Sequence, residues 1–167
     1  MRTQSDDAAD ATRIRASITI AASPAVVWAV LSDCTRMPTI IPNVESCRVI
    51  ERDPAGRWDV RENVVNPALL PRIRTVMRNT LEPGKRFAFK LVSGDMRRSE
   101  GEWKLEHAGG GTRLSYDALV APNFFAPRFM IEQAIQTDFP NVLRAIKQAS
   151  LEDQAAMPPA KPEAKKR

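Results

Sequence analysis

The chain has 167 residues, 43% of them hydrophobic and 27% charged, which fits one soluble domain burying roughly 70% of its unfolded surface. A net charge of +5 and a pI of about 9.6 suit nucleic acid, an anionic membrane surface or plain solubility, and choose none of them. No apolar run approaches the roughly 20 residues of a membrane span, and "MRTQSDDAADATR" lacks the apolar segment of a secretory signal. Two cysteines and one histidine give neither a disulfide framework nor a zinc site, so no metal or cofactor is expected. Cys34 and Cys47 read as reduced thiols of a cytoplasmic protein.

Residues 1–11 read as a disordered polar tail and 152–167 as a disordered basic tail, around a domain at 12–151. "TRIRASITI" alternates Ile14, Ala16, Ile18 and Ile20 with polar residues, the pattern of a half-buried strand. "SPAVVWAVLSD" opens a helix with Ser23 as N-cap and Pro24 in its first turn. Pro38 and Pro42 keep the next helix short. Six segments from Val44 onward read as strands separated by Pro- and Gly-rich turns, an antiparallel meander. Ile131, Ile135, Phe139, Val142, Ile146 and Ala149 then mark an amphipathic helix of about six turns, with a kink expected at Pro140. Helices gathered on one face of an antiparallel sheet make an α+β fold. A strongly curved sheet closing on the long helix would leave a cavity between them.

"EHAGGGTRLSY" contains the only histidine, His107, and three glycines. Phosphate-binding glycine loops lead from a strand into a helix, whereas both flanks here alternate as strands. Pairing Leu105 with Leu114, Trp103 with Tyr116 and Glu106 with Arg113 makes each face consistent, so the segment reads as a hairpin. His107 sits exposed at its shoulder, and no residue is assigned a catalytic role.

"SPAVVWAVLSD", "IPNVESCRVIE" and "VSGDMRRSEGEWKLEHAGGGTRLSY", followed by a proline and a long helix, resemble the START-like superfamily. Within it, they resemble bacterial polyketide cyclase/dehydratase-type and coenzyme Q-binding-type proteins. The resemblance covers about residues 13–150 and rests on Gly94, Gly101, Trp103, Gly111, Thr112 and Tyr116. It implies a helix-grip fold, in which a seven-stranded curved antiparallel sheet wraps a long C-terminal helix, with two short helices after the first strand. It also implies an apolar cavity for a lipid, isoprenoid quinone, polyketide or other hydrophobic molecule. Some members are cyclases or dehydratases, many only bind, and one branch associates with ribosomes.

Alternation then supplies the cavity candidates: Trp58, Val60 and Val64; Ile73, Thr75 and Met77; Phe87, Phe89 and Leu91; and Trp103. The helix contributes Phe129, Met130, Ala134, Ile135, Phe139 and Val142. The same residues would equally make an ordinary core. Glu62, Asn79 and Arg97 share a face with apolar neighbours and are candidates to hold a polar headgroup. Arg72, Arg74, Arg78, Lys85, Arg86, Lys90 and Arg98 form a basic outer face, either simply solvated or docking on an anionic membrane or ribosomal RNA. DNA is not expected as a partner. In "VAPNFFAPRFM", Phe124 and Phe125 are core, cavity gate or membrane anchor. The leading expectation is a carrier of a hydrophobic small molecule; the alternatives are a cyclase/dehydratase and a ribosome- or protein-interaction module.

Overall fold

Period-two alternation over most of the chain and a single long period-3.6 segment dictate one sheet and one dominant helix. The computed structural model describes residues 2–6 and 11–157. Strand β1 (Arg2–Asp6) precedes β2 (Ala11–Ile20), then α1 (Pro24–Ser32), a 3₁₀ turn (Cys34–Arg36) and α2 (Met37–Ile40). The meander follows: β3 (Val44–Arg52), β4 (Trp58–Val65), β5 (Ile73–Glu82), β6 (Arg86–Gly94), β7 (Met96–Ala108) and β8 (Gly111–Pro122). Helix α3 (Arg128–Ala156) closes the chain. All strands belong to one eight-stranded sheet of order β1-β2-β8-β7-β6-β5-β4-β3. The seven expected strands are β2 to β8. Residues 2–6, read from sequence as tail, add a short edge strand paired antiparallel to β2. At the other end α3 continues to Ala156, past the expected domain limit at 151. The remainder of the expected C-terminal tail, 158–167, lies outside the described residues.

Local chemistry places the helices. The Ser23 hydroxyl accepts from the Val26 N–H at 3.3 Å and Pro24 takes the first turn, as an N-cap and N1 proline should. Helix α3 runs on through Pro140, where the Asn141 amide donates to the Thr137 carbonyl at 3.2 Å. The β7–β8 hairpin has the expected register: Leu105 faces Leu114, Trp103 faces Tyr116 and Glu106 faces Arg113. Its loop is two residues long, because His107 and Ala108 still pair with Thr112 and Gly111. Gly109 turns it at φ 58°, a conformation glycine adopts without steric cost.

Strand β4 runs against the sequence expectation. Its register with β5 sets Asp59 beside Asn79, Arg61 beside Met77 and Val65 beside Ile73, while Glu62 faces Val76 and Val60 faces Arg78. The inner face of β4 therefore carries Asp59 and Arg61. Trp58, Val60, Glu62 and Val64, expected inside, lie on the outer face. Asp59 and Arg61 are only 3% and 7% exposed, and this burial holds because the charges satisfy each other. The Arg61 guanidinium donates to both Asp59 oxygens at 3.0 and 3.1 Å and to the Ser32 carbonyl at 2.8 Å. The Asn79 amide donates to Asp59 at 2.8 Å, and Arg61 lies over the Phe87 ring.

A second departure concerns the cysteines. Cys34 and Cys47 form a disulfide joining the 3₁₀ turn to β3. The expectation of free thiols fails because thirteen residues of turn, short helix and turn double the chain back beside β3. It also removes the cysteine argument for a reducing compartment, since disulfides persist in oxidising ones. Among the described residues, no helix is long and apolar enough to cross a membrane.

The main core lies at one end of the grip. There Val26, Val27, Val30 and Leu31 of α1 meet Leu105, Leu114 and Phe87 of the sheet and Ile146 and Ala149 of α3.

Replacing Asp59 with alanine leaves Arg61 buried and uncompensated, and should cost about 3–5 kcal/mol in urea denaturation; Asp59→Leu with Arg61→Met should recover most of that loss. Cys47→Ser opens a ring of thirteen-residue separation and should lower unfolding stability by about 3 kcal/mol, measured against the oxidised parent without reductant.

Candidate functional site

The inner face of the sheet is stapled to α3 by four aromatic rings. Trp103 and Tyr116 are cross-strand neighbours with ring centroids 4.5 Å apart. Phe139 of α3 lies 4.6 Å from Tyr116 and 6.0 Å from Trp103. Phe89, on β6, stacks on Tyr116 of β8 at 5.8 Å. It reaches across β7 because its partner there is Gly101, which presents no side chain. A Cβ at Gly101 would sit 2.2 Å from the Asp117 carbonyl oxygen, so this position admits nothing larger. Burial pushes the Tyr116 hydroxyl well above its ordinary pKa, with the Asp117 charge adding to the effect, so the phenol stays protonated.

These rings divide the space under the helix. On one side lies the packed core. On the other the N-terminal half of α3 roofs a cavity of about 250 Å³. Its ceiling is Ile131, Ala134, Ile135, Phe139 and Val142, and its floor includes Ile14, Ile73, Met96 and Val120. Three loops complete the wall: Ile41–Val44 after α2, Val65 to Leu70 between β4 and β5, and Pro122 with Phe124 before α3. Asn43 and Asp138 are the polar side chains in this lining. Asp138 accepts from the Asn43 amide at 3.2 Å and from the Ala68 backbone N–H at 2.8 Å. One carboxylate thus ties two mouth loops to the helix, and the Asn66 N–H, bonded to the Asn43 carbonyl at 2.7 Å, ties the loops to each other.

Of the residues expected at the site, Ile73, Ala134, Ile135, Phe139 and Val142 form part of this wall. Thr75, Met77 and Asn79 face inward on β5, with Met77 and Asn79 buried and Asn79 committed to Asp59. Phe89 and Trp103 belong to the aromatic staple. Phe87 packs in the core, 6.2 Å from Trp28. Trp58 lies outside under the Arg78 guanidinium. Val60 is buried on that same outer face. Glu62 pairs there with Arg74 at 2.7 Å and Arg48 at 3.4 Å, and the Arg74 hydrogen bond holds its carboxyl below the usual carboxylate range. Arg97 is exposed at the irregularity where β7 shifts register between Met96 and Arg98. Met130 is half-buried, and Phe125 and Phe129 are 95% and 71% exposed.

Asp138 was missed, although it falls three residues after Ile135 and four after Ala134, on the stripe that the apolar period defines. The loop residues had no such signal, because they belong to no periodic segment.

The outer face is ion-paired rather than uniformly basic. Arg72 pairs with Glu45, Arg74 with Glu62, Arg86 with Glu102, Arg98 with Glu100, and Arg13 and Arg15 with Asp117. A wide depression of about 540 Å³ on this face is lined by such groups, including Arg15, Lys104, Glu102 and Asp117. It offers no apolar enclosure.

Solved structures with this architecture include a protein from Thermus thermophilus (22% identity, 87% of this chain and 99% of that one, TM-score 0.74). The Zhui aromatase/cyclase from a Streptomyces species matches at 18% identity over 84% of this chain and 93% of its own, with a TM-score of 0.73. A STAR-related lipid transfer protein fragment from Xanthomonas axonopodis matches at 16% identity over 89% and 91%, with a TM-score of 0.75. At these identities the likeness is one of fold. No curated protein matches the chain. The family model described as polyketide cyclase / dehydrase and lipid transport matches residues 20–147, from the end of β2 through most of α3, and the chain belongs to that family.

Proposed function

We propose that the protein binds a hydrophobic small molecule in the cavity beneath the N-terminal half of α3 and carries it, a lipid or isoprenoid quinone being the kind of cargo that suits the wall. The observation that carries this reading is an apolar chamber of about 250 Å³, kept open because the aromatic staple stops side chains of the core from filling it. Burial of an apolar ligand at about 25 cal/mol per Å² drives affinity. The cyclase/dehydratase alternative has weaker support. Dehydration or aldol closure needs a proton donor and an acceptor within reach of the substrate, and the lining supplies one ionisable side chain, Asp138. The ribosome alternative rested on an open basic face, and the ion pairs described above neutralise much of it.

Delivery would occur at an anionic bilayer. Phe125 and Phe129 are exposed beside the wall residues Phe124 and Ile131, and Leu69, 65% exposed, is next to Leu70 of the opposite loop. Apolar tips flanking the mouth of an apolar cavity suit insertion into a membrane interface.

Native mass spectrometry of the purified protein should show a bound apolar ligand, or uptake of an added one, and Ala134→Phe, which fills the chamber from the roof, should abolish it while the far-ultraviolet circular dichroism is kept. A parent protein that takes up nothing would overturn the reading. Phe125→Ser combined with Phe129→Ser should reduce co-sedimentation with phosphatidylserine-containing vesicles several-fold and leave ligand uptake in solution unchanged.

A further inference from the structure

We infer that the cavity selects its ligand by headgroup charge and by size: it takes a compact or single-chain amphiphile with an uncharged or cationic hydrogen-bond-donating head, such as a hydroxyl, placed at Asp138. Fatty carboxylates and enclosed two-chain lipids are refused. The inference rests on the reading of this chamber as a ligand site and narrows it: an oxidised quinone head, which only accepts hydrogen bonds, falls outside, and a donor-headed lipid remains.

Size comes first. The chamber measures about 250 Å³, just below the roughly 300–1,000 Å³ typical of sites that enclose drug-sized molecules. The aromatic staple closes its inner end: Phe139 is both wall and staple, so depth cannot be gained without breaking ring contacts with Tyr116 and Trp103. One alkyl chain or a small ring system fits such a space, and a second chain would have to stay outside.

Charge comes second. Asp138 is the ionisable group in the lining. Its two oxygens each accept one hydrogen bond, from Asn43 and from Ala68, while a carboxylate offers about four acceptor positions. The spare capacity is acceptor-only, in a wall with little other polar surface. A ligand head that donates gains a charge-assisted hydrogen bond there. A ligand carboxylate only accepts, so it gains no such bond from Asp138, and it meets a like charge. Among the described residues no lysine or arginine is in ion-pair contact with Asp138, so no ion pair there offsets that repulsion. Glu62, Asn79 and Arg97 do not enter the lining, which leaves polar contacts to Asn43 and Asp138 and the discrimination of charge to Asp138.

The test compares decanol, decylamine and decanoate by isothermal titration at about pH 8, where the fatty carboxyl is ionised. Dioleoylphosphatidylcholine vesicles are added as a fourth probe, with extraction read by native mass spectrometry. Decanol and decylamine should bind at least about tenfold more tightly than decanoate, and no one-to-one phospholipid complex should form. In Asp138→Asn, which keeps an acceptor for one loop, the alcohol-to-acid ratio should fall to within about threefold. The parent's ratio alone decides the question if that variant does not fold. Equal binding of all three heads by the parent, or a stable phospholipid complex, overturns this inference and leaves the binding function standing. Failure of every probe to bind overturns both.

Discussion

The contact between Phe139 and the Trp103–Tyr116 pair is the constraint on which the rest of the molecule depends. It is the place where the long helix touches the middle of the sheet, and aromatic pairs at 4.5–6 Å are worth more than their buried area alone. With that contact fixed, α3 spans the concave sheet as a beam supported near its centre. Beyond Phe139, Leu143, Ile146 and Ala149 are buried, and Ile146 and Ala149 share the core with α1. Before it, the helix has only loops and strand ends beneath it. Packed core and cavity are therefore two consequences of one interaction. The glycine at position 101 belongs to the same device, since it is what lets Phe89 cross a strand and support Tyr116 from the far side.

The buried Asp59–Arg61 pair is a different kind of feature. Its partners, the Asn79 amide and the Ser32 carbonyl, come from β5 and from the end of α1. A charged pair in an interior is weak evidence for stability in itself. Here it fixes geometry: it sets which face of β4 is inside and docks the end of α1 against the sheet. Apolar residues at both sites would allow β4 to present Val60 and Val64 inward, the face that simple alternation favours.

That explains why the sequence was legible in some places and misleading in others. The β7–β8 register could be read to the residue because both faces agreed: apolar opposite apolar, and Glu106 opposite Arg113. In β4 the rule that apolar residues point inward met a segment, "WDVRENVV", whose inner face is charged and satisfied by groups remote in sequence. No local pattern reveals such a partner. The helix N-cap and the helical ceiling of the cavity were legible for the same reason as the hairpin, since each follows from a short, self-contained period. The loops of the cavity wall have no period, and the Cys34–Cys47 pairing depends on how turns fold back, which spacing alone does not specify. Asp138 lies on the apolar stripe of an amphipathic helix, where the period marks the apolar members and gives no signal for a polar one.

The disulfide gives the cavity wall an unequal stiffness. Cys34 and Cys47 bracket residues 41–44 in a closed covalent ring, so this side of the mouth moves only as far as the ring allows. The segments at 66–70 and 122–127 carry no cross-link and are held to the body by hydrogen bonds, among them those to the carboxylates of Asp138 and Glu45 and to the backbone at Gly94 and Asp95. A wall with one rigid side and two compliant ones yields in a defined direction. On the proposed reading, a guest would pass by the two sides that no covalent ring restrains.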